Sequence, residues 1–172
     1  MPQPSPGGQE QSIFYQLANG EIPSKTIFEN DGFRAILDKQ PARPGHVLII
    51  PKDQVQITPQ FTPEMNAGLA EAIKAASENL LKGLDASGTS VFIANGGVAG
   101  QNAPQTLIHV IPRVDDDTVG LKPQPKQIND DAFTEAANRL QEALGVQDQS
   151  SQQQPQRQQD TQRNESEDVD LD

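Results

Sequence analysis

Apolar residues along the chain are concentrated between Ile13 and Leu144, whereas both ends are polar. Within this span, short apolar runs alternate with clusters of turn residues, a pattern typical of strands. The pattern predicts strands at Lys25–Glu29, Phe33–Leu37, His46–Ile50, Ser90–Ala94 and Thr106–Ile111. The sequence Asn30-Asp-Gly32 between the first two strands predicts a tight hairpin turn.

Helical signals mark further segments. Ile13–Ala18 predicts a short helix that ends at Asn19 and Gly20. A long helix is predicted from Thr62-Pro63-Glu64, which offers a hydroxyl cap, a first-turn proline and a first-turn acid. Its apolar face would comprise Met65, Leu69, Ile73, Ala76, Leu80 and Leu84. A last helix fits Asp130–Leu144, with an apolar stripe of Phe133, Ala136, Leu140 and Leu144.

The connections between the predicted strands decide the fold class. Most are tight turns, which join antiparallel neighbours, whereas parallel strands need long crossover connections. We therefore expect an α+β fold: a five-stranded antiparallel sheet with one long helix and one or two short helices. One domain is expected over 12–146. A disordered leader at 1–11 and a disordered, Gln-rich acidic tail at 147–172 are expected to flank it, because both have almost nothing to bury.

Composition narrows the classes of function. The net charge of −11 argues against duplex nucleic acid as a partner, because phosphate backbones are bound by clustered lysines and arginines. The absence of cysteine excludes disulfides and thiolate metal sites. No apolar run is long enough to cross a bilayer, and the start does not resemble a signal peptide. We therefore expect a cytoplasmic protein without a membrane partner. The acidity fits either an ordinary cytosolic protein or adaptation to high intracellular salt.

The candidate chemistry lies on the last predicted strand. Because side chains alternate along a strand, Gln105, Leu107 and His109 face one side. The Gly-rich segment Asn95–Asn102 before this strand can bring backbone N–H groups close to an anion. Taken alone, a single histidine on an apolar strand is more often a hydrogen-bonded core residue than a catalyst.

Three blocks of sequence occur in order along the chain. They are SIFYQLANGEIPS at 12–24, LDKQPARPGHVLIIPK at 37–52, and the Gly-rich loop followed by HVIPR at 109–113. Together they resemble the histidine-triad (HIT) family of nucleotide hydrolases and transferases. The resemblance implies a HIT-like fold, a nucleotide pocket and a homodimer that places its sites near the subunit interface.

The sequence also departs from the family at the residues that carry its chemistry. The three histidines of the family would fall at positions 105, 107 and 109, and the middle one attacks the α-phosphorus to form a covalent intermediate. Leu107 has no nucleophilic atom, so His109 is left as a residual catalytic candidate. Many members also bind a structural zinc, whose ligand positions match Ser12, Tyr15, Gln54 and Gln105. None of these is a good zinc ligand, so we expect no metal and no cofactor.

The resemblance nevertheless implies that the binding half of the pocket is retained. Asp38 matches an acid that contacts the nucleotide ribose, and His46 matches a histidine that supports the site. The predicted nucleotide-binding set is completed by Asn95, Gln101, Asn102, Gln105 and His109. Structural interpretations stay open for Asp38 as a solvated turn residue, for His46 as the partner of a backbone carbonyl, and for the loop amides as ordinary polar groups.

We therefore expect a HIT-like protein that binds a purine nucleotide or a related phosphate and has lost the nucleotidyl-histidine mechanism. One alternative is an active nucleotide phosphoramidate or dinucleoside polyphosphate hydrolase or transferase, with a rearranged site around His109. The other is a non-catalytic protein-interaction module, in which the fold serves as a scaffold and the tail carries the function.

Overall fold

The computed structural model of the protein describes residues 12–120 and 123–145. The disordered leader predicted at 1–11 and the tail predicted at 147–172 lie outside the described residues. The chain divides into two compact units, Met1–Lys122 and Pro123–Asp172. The extent of the domain predicted over 12–146 remains a prediction.

The first unit is built on a five-stranded antiparallel sheet. Its strands are β1 (Thr26–Glu29), β2 (Phe33–Leu37), β3 (Val47–Pro51), β4 (Gly88–Ile93) and β5 (Ile108–Arg113). They lie in the order β1-β2-β3-β5-β4, so the last strand is inserted between β3 and β4. The predicted α+β class and the antiparallel sheet are confirmed.

The last strand begins two residues later than predicted. The Thr106 backbone N–H donates to the Val55 carbonyl at 2.8 Å, so this residue is tied to the loop after β3. Regular pairing with β3 and β4 starts only at Ile108. Beyond Val110 the strand continues to Arg113 beside β4 alone, and so it extends past the predicted end at Ile111.

One face of the sheet is covered by α2 (Pro63–Gly83). The Thr62 side chain accepts the Met65 backbone N–H at 3.3 Å, as the predicted cap requires. Buried helix residues Leu69, Ala72, Ala76 and Leu80 pack against Phe33, Val47, Ile49, Ile108 and Val110. Leu84 was predicted on this face but is 53% exposed, because the helix ends at Gly83 and Leu84 follows as its C-cap.

The opposite face is covered only in part, by α1 (Ile13–Ala18). Ala18 packs on Ile36, Leu48 and Ile50, and a partly buried Leu107 joins this second cluster. Ser12 caps the helix by accepting the Tyr15 backbone N–H at 3.1 Å. Since α1 has only six residues, it leaves the β5 end of this face open.

The second unit contains α3 (Asp130–Leu144), with the predicted bounds. Asn129 caps its first turn, and Gly145 ends it with a positive φ of 68°. The side chains of its predicted apolar stripe are exposed. Within the described residues, no helix combines the length and apolar character needed to cross a membrane. The cytoplasmic location remains a prediction.

Candidate functional site

A cavity of about 420 Å³ lies on the sheet face that α1 leaves open. Its lining residues are Phe14, Phe92, Ala94, Gly100, Gln101, Asn102, Ala103, Gln105, Leu107, His109 and Ile111. The walls are mostly apolar, and the polar groups come from the Gly-rich loop and from β5 with the residues just before it. The structure therefore brings Gln101, Asn102, Gln105 and His109 together at one cavity. Asp38, His46 and Asn95 are not among the lining residues.

The two histidines of the chain lie side by side at the edge of this cavity. Pairing of β3 with β5 sets Leu48 opposite His109, which places His46 two residues along the chain beside the same ring. The His46 Nε2 atom is 3.0 Å from His109 Nδ1. His46 Nδ1 accepts the Ala42 backbone N–H at 3.1 Å and lies 3.5 Å from Asp38 Oδ2.

These contacts determine where the ring protons sit. A backbone N–H can only donate, so His46 Nδ1 must be unprotonated and the proton of this ring is on Nε2. That N–H donates to His109 Nδ1, which leaves the proton of His109 on its own Nε2. Since His109 lines the cavity, it offers a ligand an N–H donor.

Both imidazoles are neutral near pH 7. Burial lowers the pKa of His46, and the nearby Asp38 carboxylate opposes this only in part. Burial also lowers the pKa of His109, repulsion from His46 lowers it further, and Asp38 again acts in the opposite direction. The pair therefore has no positive charge when the cavity is empty.

Asp38, His46 and His109 offer one ligand atom each within 4.8 Å, a spacing that could hold a metal ion. The proton arrangement is unfavourable for metal binding, because His46 Nδ1 accepts the Ala42 N–H and His46 Nε2 carries a proton. Neither nitrogen of His46 then presents a free lone pair, which a metal requires. The absence of a metal remains a prediction.

Gln105, predicted to contact the nucleotide, is fully buried and bridges three parts of the chain. Its Oε1 accepts the Ser12 hydroxyl at 2.9 Å, and its Nε2 donates to the Pro51 carbonyl at 2.7 Å and the Asp53 carbonyl at 3.3 Å. Both N–H groups of the amide are thus used within the protein, and only Oε1 retains acceptor capacity. Ser12 and Gln105 occupy two of the positions that bind zinc in other family members, and a neutral hydroxyl bonded to an amide does not suit a zinc ion.

Two of the predicted nucleotide-binding residues, Asn95 and Gln101, form hydrogen bonds that hold the Gly-rich loop in shape. Asn95 Oδ1 accepts the Thr58 backbone N–H at 2.9 Å. Gln101 Oε1 accepts the Gly96 N–H at 2.7 Å, while its Nε2 donates to the Gln56 carbonyl at 2.7 Å. Asn102 is exposed at the cavity and makes no side-chain hydrogen bond to any described residue. Its amide is therefore the loop group best placed for a ligand.

Comparison with known proteins bears on this arrangement. A model of the HIT domain matches residues 19–116, which include the described histidine pair and the Gly-rich loop. The chain belongs to the HIT family.

Individual HIT relatives match most of the first unit. An uncharacterized HIT-like protein of Methanocaldococcus jannaschii is 33% identical over 61% of this chain and 81% of its own length. The adenylylsulfatase HINT3 of Arabidopsis thaliana is 31% identical over 63% of this chain and 55% of its own length. The crystal structure of the histidine triad nucleotide-binding protein from Candida albicans has a TM-score of 0.69 and 27% identity, covering 78% of this chain and 97% of that one.

Some groups at the HIT site were missed by sequence reasoning. Phe92 pairs directly with His109, at 6.0 Å between ring centroids, and Phe14 reaches the cavity from α1. Alternation along the predicted strand could place Phe92 on one face, but only the β4–β5 register identifies its neighbour. The Ala42 N–H, which determines the protonation of the pair, has no side-chain signal in the sequence.

Proposed function

We propose that this HIT protein binds a purine nucleotide or a related phosphate in the cavity and forms no nucleotidyl-histidine. The observation that carries the proposal is the cavity itself, where His109 and Asn102 offer N–H donors beside the apolar side chain of Leu107. The name of the Candida albicans relative, a nucleotide-binding protein, supports the ligand class.

The protonation of the pair supports the loss of nucleophilic chemistry. Leu107 lines the cavity at the position of the family's nucleophile and has no atom that could attack phosphorus. His109 could replace it only through a lone pair on Nε2, the nitrogen that carries the proton in this arrangement. Donating a hydrogen bond to a phosphate oxygen is the role that this tautomer supports.

The remaining predicted residues act on the ligand or on the groups that contact it. In the proposal, Asn102 and His109 donate to the phosphate, and the Oε1 of Gln105 can accept a hydrogen bond from a donor group of the ligand. Asn95 and Gln101 set the loop conformation, and His46 orients His109. Asp38 is half-buried, with Oδ1 accepting the Gln40 N–H at 2.8 Å, and the family resemblance is what assigns it to the ribose.

The proposal is tested with the full-length chain in an NMR titration with AMP and a hydrolysis assay on adenosine 5′-phosphoramidate. The wild type should show saturable shifts at Asn102 and His109 without turnover. Leu107→His restores an imidazole at the position of the family's nucleophile and should gain hydrolysis, whereas the polar control Leu107→Asn should not. Hydrolysis by the wild type would establish the alternative of a rearranged active site. Absence of binding would favour an interaction module.

A homodimer is the second part of the proposal. β4 is an edge strand of the sheet, and Val91 and Phe92 are exposed on it. An exposed apolar edge strand is an unfavourable surface for a monomer, and pairing with a second copy would cover it. Sedimentation of the full chain should show a dimer, and Val91→Lys should shift it to the monomer. A monomeric wild type at micromolar concentration would contradict this.

A further inference from the structure

The proposed phosphate site lacks a positive charge. None of the described residues that line the cavity is a lysine or an arginine, and His109 is the single titratable group among them. The whole chain has a net charge of −11. A phosphate dianion that leaves water for this cavity would therefore meet donors but no cation, an arrangement that is strongly unfavourable.

The chain Asp38–His46–His109 can supply the missing charge. A proton from solvent can enter at His46 Nδ1, which lies 3.5 Å from Asp38 Oδ2 and would then donate to that carboxylate instead of accepting from Ala42. The proton on His46 Nε2 moves across the 3.0 Å hydrogen bond to His109 Nδ1. His46 ends neutral, and His109 then has protons on both nitrogens and the positive charge beside the phosphate.

We propose that a phosphate dianion binds at this site together with one proton, which Asp38, His46 and His109 convert into a positive charge on His109. This inference rests on the proposed nucleotide binding and adds its regulation by pH. Other elements at the cavity present the uncharged residues Phe14 from α1 and Phe92 from β4. The charged and titratable groups that act on His109 are therefore His46 and Asp38.

The proposal predicts that the affinity for the phosphate dianion falls as the pH rises. In the empty protein both imidazoles have lowered pKa values, and the bound dianion raises that of His109 because opposite charges favour the protonated form. Between the free and bound pKa values, the dissociation constant for the dianion should increase by about tenfold for each unit of increasing pH. A ligand without phosphate should show no such dependence.

The test measures proton uptake by the full-length chain. Calorimetric titration with AMP in buffers of low and high ionisation enthalpy gives the number of protons bound, and is done above pH 7, where AMP is a dianion. In parallel, NMR follows both imidazoles against pH; since the chain has two histidines, every imidazole signal reports on the site. We expect uptake approaching one proton and an increase of about one unit or more in an imidazole pKa. Adenosine is the matched ligand that lacks the dianion.

Two variants connect the uptake to the proposed chain of groups. Asp38→Asn removes the carboxylate that accepts the hydrogen bond from the protonated His46 Nδ1 and should reduce the uptake for AMP, an effect that a lost ribose contact alone would not produce. Asp31→Asn, at an exposed turn away from the cavity, should leave it unchanged. AMP binding without uptake, or equal uptake with adenosine, would overturn the inference while leaving nucleotide binding intact. Failure of AMP to bind would overturn both proposals.

Discussion

Replacement of Gln105 by leucine tests whether a buried hydrogen-bonded amide holds α1 and the end of β3 together. The two side chains are similar in size, so Gln105→Leu creates little cavity and mainly removes hydrogen bonds. Ser12 loses its acceptor, and the Pro51 and Asp53 carbonyls lose a donor. Pro51 is fully buried, whereas Asp53 is exposed and Ser12 is half-buried, so water replaces the lost bonds only at the latter two.

The expected magnitude follows from these three contacts. The bonds that water can replace contribute about 1 kcal/mol or less each, and an unsatisfied buried carbonyl costs about 1–3 kcal/mol. We therefore expect the free energy of unfolding to fall by about 2–4 kcal/mol, a large part of the roughly 5–15 kcal/mol of a typical domain. In the melting temperature this corresponds to a decrease on the order of 10 °C.

Urea unfolding followed by far-ultraviolet circular dichroism is the suitable assay, because the chain has no tryptophan and one tyrosine. Gln40→Leu is the matched control, since Gln40 is exposed and its side chain bonds to no described residue; it should change stability by about 0.5 kcal/mol or less. A loss below about 1 kcal/mol in Gln105→Leu would refute the bridging role.

A chelator should not lower the urea midpoint of the wild type, and a decrease would show that a metal is bound.

Further predictions concern buried groups. Thr106→Val should raise the free energy of unfolding, measured in urea, by about 1 kcal/mol, because the buried Thr106 hydroxyl has no hydrogen-bond partner among the described residues. A destabilised variant would imply a partner such as ordered water. Gly45→Ala should lower the melting temperature by an amount equivalent to about 1–3 kcal/mol, because φ is +93°, a left-handed conformation that is strained for any residue with a Cβ; an unchanged value would contradict the strain. Burial lowers the pKa values of His46 and His109 below 6.5, so as the pH falls the unfolded chain binds protons at a higher pH than the folded chain does. Stability measured against pH should therefore be full above about pH 6.5 and decrease below it, and the decrease should be shallower when both histidines are replaced by glutamine.

Local sequence signals were sufficient to predict most helices and strands of the fold. Thr62 and Pro63 determine where α2 begins, Asn129 and Gly145 bound α3, and short apolar runs mark the strands. These predictions succeed because helix capping and the alternation of side chains along a strand depend on near neighbours in the chain. The prediction of Leu84 on the buried face is wrong. The helical spacing of apolar residues continues in the sequence to Leu84, whereas the helix itself ends at Gly83.

The site was accessible to sequence reasoning only in part. The blocks that resemble the HIT family point to Gln101, Asn102, Gln105 and His109, which lie together at one cavity, while their role in nucleotide binding stays a prediction. They do not show that the amides of Asn95 and Gln101 are engaged in bonds within the loop, or that Gln105 is a buried bridge. Which side-chain atoms remain available depends largely on partners 37–93 positions away in the chain.

Residue identity and local order were enough to predict the α+β class and the HIT family, and they place a leucine, which has no nucleophilic atom, at position 107. The protonation of the histidine pair, in contrast, follows from contacts that exist only in the folded chain. Insertion of β5 between β3 and β4 brings His109 within 3.0 Å of His46, although they are 63 residues apart in sequence. Folding of the preceding loop then places the Ala42 N–H on the His46 ring. A proton position depends on directed contacts between distant groups, and residue order alone does not specify them.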